Sequence, residues 1–288
     1  MPDPGGPVSI PDLFSQNTTE FEFKPGVVYK FSSSDTERYI TRLLETFQQH
    51  GFPIEGTCVE AFHFCLKSKR FFMQKRASES TSKPGVGEGM GGAKEPSDET
   101  HKYATLRETL EESGILLLRA QLFAESFFYI WRHEDRNTGR WKWLVKCAFV
   151  FIIPQRDAWL FDNRIWHTES KEPVGQSPTL FDPKEVSDTF SVTEMDLENM
   201  LIWSPEHHDQ ARDPKLLVVQ KQTYIIMEYM FRRLPSLDEP DENTNRICYA
   251  ERCPKSDKIL LKLDGETVPS SCLEKEGLLE LVHGAMKR

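Results

Sequence analysis

The sequence is 288 residues long and contains no run of about 18 or more apolar residues, so no membrane-spanning helix is expected. Positive charge is not in excess. Thirty-six Lys and Arg stand against 45 Asp and Glu, for a net charge of −9, which argues against a broad electrostatic grip on nucleic acid. Cysteine is sparse: six residues, at 58, 65, 147, 248, 253 and 272, are scattered too widely for a disulfide framework. Cys248 and Cys253 have no second Cys/His pair at zinc spacing, so a structural zinc site is not expected. The opening MPDPGGPVSIPDLF lacks the basic and apolar regions of a secretory signal, and the closing HGAMKR carries no lipidation or retention motif. A reducing, cytoplasmic setting is the expectation. No internal repeat is visible.

What is present is an ordinary globular composition, 38% hydrophobic and 28% charged. The length suits one main domain with terminal additions. The expected divisions are an N-terminal extension with one helix (1–54), a central catalytic domain (55–235) and a C-terminal extension packed on it (236–288).

Along the chain, residues 1–34 are rich in Pro, Gly, Ser and Thr and read as a loose lead-in, with VVYKF one short strand-like run. Tyr39, Ile40, Leu43, Leu44 and Phe47 recur at helical spacing, and Gly51 is placed to end that helix. A hairpin follows, Val59–Leu66 returning as FFMQKR. Residues 78–90 read as a flexible loop. Trp143–Ile153 has the near-continuous apolar character of a strand buried on both faces. Residues 154–190 read as a long polar connection. DPKLLVVQKQTYIIMEYMFRRL reads as a strong helix, and RICYAE with KILLKL as a hairpin before a last helix. The order predicts an α+β fold in which helices cover a mixed sheet as an α/β/α sandwich.

The segment GGAKEPSDETHKYATLRETLEESGI carries the chemistry. Thr100 is a candidate N-cap and Gly114 a candidate stop. On a helical wheel Tyr103, Leu106 and Leu110 share one face, and Glu108, Glu111 and Glu112 share the other at i, i+3 and i+4. A charge cluster is ordinarily a solvated face. A solvated face, however, mixes signs, and here only Arg107 answers Glu111. Like charges at this spacing repel, and a hard divalent cation bound by carboxylate oxygens would offset that.

Residues 107–115, Arg-Glu-Thr-Leu-Glu-Glu-Ser-Gly-Ile, resemble the second half of the Nudix box, Arg-Glu-U-x-Glu-Glu-x-Gly-U with U aliphatic. Glu99 stands eight positions before Arg107, as that box requires. The sequence departs from the box at Thr109, which replaces an aliphatic residue, and at Ala93, where the box has glycine. Gly92 serves instead if one residue is inserted, an arrangement that resembles filamentous-fungal members. Where many members read Trp-Glu-x-Pro-Gly-Gly, this chain has Gly87-Glu88-Gly89-Met90-Gly91-Gly92, without the Trp and Pro. The resemblance spans residues 55–235.

The resemblance implies a Nudix-like α/β/α sandwich and a Mg²⁺- or Mn²⁺-dependent hydrolase that cleaves a diphosphate linkage in a small molecule. It implies Glu108, Glu111 and Glu112 as metal ligands, Arg107 as their organiser, and Glu99 as a structural or outer residue. The backbone of Gly91 and Gly92 would approach metal or phosphate, with Lys75, Arg76 and Trp143 as further substrate contacts. Among the loop acids, Glu185 is the expected general base. The implied partner is a small-molecule diphosphate rather than nucleic acid or membrane, for a monomer or homodimer. The missing Trp and Pro also suit an alternative, a secondary-metabolism enzyme acting on a prenyl diphosphate or catalysing a non-hydrolytic isomerisation or cyclisation.

Overall fold

The computed structural model describes residues 6–9, 24–30, 36–49, 51, 54–77, 83–117, 123–135, 139–162, 186–204, 208–211, 213, 216–233, 237, 247–252, 259–275 and 277–285. No described helix is long and apolar enough to cross a membrane.

Two strands make the centre. β3 (Ile54–Cys65) and β8 (Arg140–Ile152) run parallel, in register from Cys58 opposite Lys146 to Phe64 opposite Ile152. β7 (Phe123–Asp135) lies antiparallel on the other side of β8, and β4 (Arg70–Arg76) pairs with the far edge of β3. Side chains on β8 alternate between two cores, as a strand's period of two requires. Val145, Cys147, Phe149 and Phe151 enter one, and Ala148, Val150 and Ile152 enter the other. Helix α1 (Thr36–Gln49) seals the first core with Tyr39, Ile40, Leu43 and Phe47, joined by Ala104 of α2 (His101–Ser113). Helix α6 (Lys221–Arg233) seals the second with Ile225, Ile226, Met230 and Phe231. The result is the α+β, α/β/α sandwich expected from the sequence.

Three loops of the sequence reading carry strands. Within residues 1–34, the unexpected β1 (Val8–Ser9) pairs parallel with β2 (Tyr29–Lys30), which lies in the expected strand-like run VVYKF and extends the sheet beyond β7. Within 78–90, Pro84 to Met90 is buried and includes β5 (Gly87–Glu88), paired with β4. Its glycines hid it, since they carry no β signal yet allow the backbone to lie close. At the end of 154–190, β9 (Val186–Val192) pairs antiparallel with β4 along its length. Ser187, Asp188, Thr189 and Ser191 mask it, and its partner decides its state. A 3₁₀ turn (Gln155–Asp157) and α3 (Trp159–Asp162) open that connection.

The expected helix from residue 213 begins only at Lys221. Val218 and Val219 form β11, parallel to β5, with β10 (Leu201–Ile202) on its outer side. β-Branched side chains favour that pleated setting over a helix. Two short helices, α4 (Glu194–Leu197) and α5 (His208–Ala211), complete this side.

A second sheet grows from the end of α2. Gly114 adopts φ 64°, donates its N–H to Leu110 O and turns the chain straight into β6 (Ile115–Leu117). β6 pairs with β12 (Ile247–Arg252), which pairs with β13 (Ile259–Leu263) and then β14 (Glu266–Thr267), all antiparallel. Helices α7 (Ser270–Lys275) and α8 (Leu279–Ala285) close it around Leu110, Leu116, Leu261, Leu273 and Leu281. The C-terminal strands thus cover the side of α2 turned away from the main sheet.

Candidate active site

Helix α2 is fixed at both ends and on every side. Thr100 Oγ1 accepts the Tyr103 N–H at 2.9 Å, as an N-cap does. Glu37 of α1 accepts the His101 N–H at 2.7 Å and faces its Nδ1 at 2.9 Å, so α1 anchors the first turn. The Thr105, Thr109 and Ser113 hydroxyls each donate to the carbonyl four residues back. That accounts for Thr109 in place of an aliphatic residue: it is fully buried, and its hydroxyl is satisfied by Thr105 O. No residue of α2 is exposed. The Glu108 and Glu111 side chains are 12% and 13% exposed and Glu112 is 8% exposed, which excludes a solvated acidic face.

Arg107 organises the carboxylates. Its Nη1 lies 2.9 Å from Glu108 Oε1 and 3.0 Å from Glu111 Oε2. Its Nη2 donates to Ala93 O at 2.9 Å, and Nε and Nη2 grip Asp98. Burial opposes the guanidinium charge, but Asp98, Glu108 and Glu111 outweigh it and hold the pKa above its ordinary value. Here the sequence reading is corrected. The structural carboxylate is Asp98, 3% exposed, whereas Glu99 is exposed. The tight turn in which Asp98 N donates to Glu95 O directs residue 98 inward and residue 99 outward.

Glu112 points away from Arg107 to the glycine segment. Its Oε2 accepts from Gly91 N at 2.6 Å and from Gln74 Nε2 at 2.9 Å. Burial pushes its carboxyl well above the usual range, and the neighbouring Glu108 and Glu88 charges add to this. Residues 89–92 lie flat on β3: Ala61 N donates to Met90 O, and Val59 N to Gly92 O. A Cβ at Gly91 would lie 2.1 Å from Val59 O, and one at Gly89 2.5 Å from Ala61 O. One at Gly92 would lie 2.6 Å from both Glu108 carboxylate oxygens. Glycine is required here by close approach.

A charged cluster that the sequence reading missed lies on the α6 side. Glu60, fully buried, accepts from Gly89 N at 2.9 Å and Tyr129 Oη at 3.2 Å, with Lys146 Nζ at 3.2 Å. Glu88 pairs with Arg76 and lies 3.9 Å from Lys146. Burial pushes the Glu60 carboxyl up, with Lys146 pulling it back. Burial works against the Lys146 charge as well, but Glu60 and Glu88 hold its pKa above the ordinary value. Lys83 lies next to them, its pKa lowered to about 8 by burial and then by Lys146. A signal for the cluster existed: a lone Glu in VEAFHF and a lone Lys in WLVKCAFVF are charges inside buried strands, which occur only when paired.

Of the other expected contacts, Arg76 reaches the cluster through Glu88. Lys75 Nζ is turned to the Asp213 and Leu216 carbonyls at 2.9 and 3.4 Å. Trp143 packs on the core under α1 with Arg132 across its ring, whereas Trp131 is the tryptophan beside Lys146 and Lys83. Glu185 lies outside the described residues.

Among the described residues, no three His, Cys, Asp or Glu side chains are arranged to hold a metal ion. Glu108 and Glu111 converge on Arg107 while Glu112 faces Gly91. The donor chemistry still fits Mg²⁺, which takes one or two carboxylates plus water and phosphate oxygens instead of a closed protein cage. A cation beside Glu108 and Glu112 would also offset the repulsion that Glu112 experiences.

No family model and no curated protein matches the chain. Among solved structures it is similar to a bifunctional NMN adenylyltransferase/ADP ribose pyrophosphatase from Francisella tularensis, at 16% identity over 68% of this chain and TM-score 0.36. That match spans 46% of the bifunctional protein, less than half its length. It is also similar to the Nudix domain of Shewanella oneidensis NrtR complexed with ADP ribose, at 13% identity over 66% of this chain and 97% of that one, TM-score 0.37. A MutT Nudix hydrolase from Burkholderia pseudomallei matches at 20% identity over 55% of this chain and 96% of that one, TM-score 0.32.

Proposed function

We propose that the chain is a Nudix-type hydrolase that uses Mg²⁺ or Mn²⁺ to cleave a diphosphate linkage in a nucleoside diphosphate joined to another group, or in a related organic diphosphate. The observation that carries this reading is the grip of Arg107. One guanidinium binds Asp98, Ala93 O, Glu108 and Glu111 together, so the loop before the helix and the carboxylates on it are held as a unit. A solvated ion-pair face would have no need of that arrangement.

Glu108, Glu111 and Glu112 would hold the cation, which when bound supplies Lewis-acid neutralisation of phosphate oxygens and a more acidic water. The rest is the work of the chain. Arg107 keeps Glu108 and Glu111 close together against their mutual repulsion. Gly91 N and Gln74 fix the Glu112 carboxyl. The absence of a side chain at Gly92 leaves the Glu108 oxygens clear on that side. Arg76, held by Glu88, brings positive charge beside the glycine segment, where a diphosphate would lie. Electrostatic stabilisation of this kind is the main catalytic resource for phosphoryl chemistry.

The test is turnover of a panel of nucleoside diphosphate-X compounds with Mg²⁺, with Mn²⁺ and with EDTA. Glu111→Gln and Glu112→Gln should each lower kcat at least about 100-fold. Full activity in EDTA, or in both variants, would refute the assignment.

A further inference from the structure

Lys146 is a charged side chain inside the sheet, set on β8 between the fully buried Val145 and Cys147. Burying an ion pair seldom adds stability, and apolar residues of similar volume often serve as well or better. Folding therefore does not account for the pair that Lys146 makes with Glu60 at 3.2 Å, or for its approach to Glu88 at 3.9 Å.

Its position does account for them. Cys58 stands opposite Lys146 on the neighbouring parallel strand, and on its other edge Cys58 bridges to Ala93. Lys146, Cys58 and the end of the glycine segment thus form one row across neighbouring strands. Cys58 is partly exposed although Val59 and Glu60 beyond it are fully buried, so the row is open to solvent at its middle. Burial raises the Cys58 thiol pKa, Lys146 opposes that shift, and Glu108, Glu60 and Glu88 add to it. The ammonium and a carboxylate of α2 therefore act on the same opening.

Glu60 and Glu88 are already engaged. Glu60 Oε1 accepts from Gly89 N, and its Oε2 faces Tyr129 Oη and Lys146 Nζ. Glu88 Oε1 pairs with Arg76, and its Oε2 faces Lys146. Charge balance points the same way. Glu60, Glu88 and Glu112 are linked to Arg76, Lys83 and Lys146, and Asp98, Glu108 and Glu111 to Arg107. Six carboxylates against four cations leave two negative charges, the complement of one divalent ion.

We propose that Lys146 is a fixed catalytic cation, held by Glu60 and Glu88 to bind a phosphate oxygen of the diphosphate over Cys58, so that the chain takes a single divalent ion, on the Glu108 and Glu112 side. An ammonium carries three donors. Glu60 is within hydrogen-bond reach and Glu88 is beyond it, so among the described residues donors remain for a phosphate oxygen. Two cations that clamp a phosphoryl group are the working parts of two-metal sites, and a lysine supplies such a charge as a compact point that does not exchange with solvent. Glu60 is then a positioning residue, acting through Lys146 and through Gly89 N. The inference rests on the diphosphate reading for the ligand, and on the contacts of Lys146 for the cation.

The test loads the full chain with Mn²⁺ alone and reads the ion by electron paramagnetic resonance, before and after adding methylenebisphosphonate, whose carbon bridge cannot be hydrolysed. The wild-type chain should show the spectrum of an isolated ion in both states. A magnetically coupled pair of ions would overturn the inference, and this measurement needs no variant. Lys146→Met should weaken methylenebisphosphonate binding, measured by calorimetry with Mn²⁺ present, by at least about tenfold, the worth of one charge-assisted hydrogen bond. Its Mn²⁺ affinity should stay at or above that of wild type, because a repelling charge has gone. A lysine that served only the fold would weaken both when removed. The inference is overturned if Lys146→Met, shown to be folded by thermal unfolding, keeps wild-type bisphosphonate affinity, or loses Mn²⁺ and bisphosphonate affinity together. Lys146→Gln supplies the same reading should the Met variant fail to fold. A chain that binds Mn²⁺ and bisphosphonate as expected but hydrolyses no diphosphate would refute the hydrolase reading alone. One that hydrolyses diphosphates with a coupled pair of ions would refute the role of Lys146 alone.

Discussion

Arg107 and Asp98 meet through two parallel hydrogen bonds, Nε to Oδ1 at 3.0 Å and Nη2 to Oδ2 at 2.9 Å, with side chains 7% and 1% exposed. A buried two-pronged pair is costly to break because the surviving charge is left without its partner. Asp98→Asn should therefore cost about 3–5 kcal/mol of stability. Glu99→Gln, one residue away and exposed, should stay within about 0.5 kcal/mol of wild type. Urea unfolding of the two variants separates them, and equal midpoints would contradict the assignment of Asp98.

Two adjacent glycines should fail in different ways. A Cβ at Gly91 meets the Val59 backbone carbonyl, which cannot move without disturbing β3, so Gly91→Ala should lower the unfolding temperature by several degrees. A Cβ at Gly92 meets the end of the Glu108 side chain, which can swing away. Gly92→Ala should leave stability within about 1 kcal/mol of wild type while lowering kcat more than tenfold. Thermal unfolding paired with turnover distinguishes a structural glycine from one that keeps a carboxylate in position.

His63 should make the fold acid-sensitive. It is fully buried against the Phe151 and Phe161 rings, neither ring nitrogen has a hydrogen-bond partner among the described residues, and burial lowers its pKa to about 3. Between about pH 6.5 and pH 3 the unfolded chain takes up a proton at this position that the folded chain refuses. Stability is therefore lost as pH falls through that window, by about 1.4 kcal/mol per pH unit. His63→Leu should flatten the pH dependence across the window relative to wild type, as read by denaturant unfolding at a series of pH values. Parallel curves for the two proteins would count against it.

The C-terminal strands should stabilise the acidic helix. Leu110 belongs to the core shared with Leu116, Leu261 and Leu281 while its neighbours on α2 face the site. Leu110→Ala should cost about 2–5 kcal/mol. It should also raise amide exchange in β6 and β12 above that in β3, which lies across the main sheet. Uniform loss of protection everywhere would mean that the two sheets unfold as one unit.

Near-neighbour relations were legible before the fold was known. The recurrence of Tyr39, Ile40, Leu43 and Phe47 marked α1, Thr100 and Gly114 bracketed α2, and the apolar run from Trp143 marked the central strand. The crowding of Glu108, Glu111 and Glu112 beside Arg107 pointed to the candidate site, because i, i+3 and i+4 contacts are dictated within one helix. Strands β5, β9 and β11 were not legible. Each is short or polar, and each takes its hydrogen bonds from a partner distant in sequence.

The sequence by itself thus determined helices α1 and α2, the body of α6, the central hairpins and which residues could bear charge, since these follow from rotations and caps spanning a few residues. Tertiary structure alone decided that Asp98 and not Glu99 holds Arg107, that Glu112 faces Gly91 and leaves Arg107 to Glu108 and Glu111, and that Lys83 lies between Trp131 and Trp203. Those outcomes depend on a tight turn and on the register of β3 against β8 and the glycine segment. Tyr129 of β7 and Glu60 of β3, hydrogen-bonded although 69 residues apart, are one product of that register together with the register of β7 on β8. Register is set by how two buried faces pack together, and a shift of one residue in a strand would send side chains such as Glu60 to the opposite face.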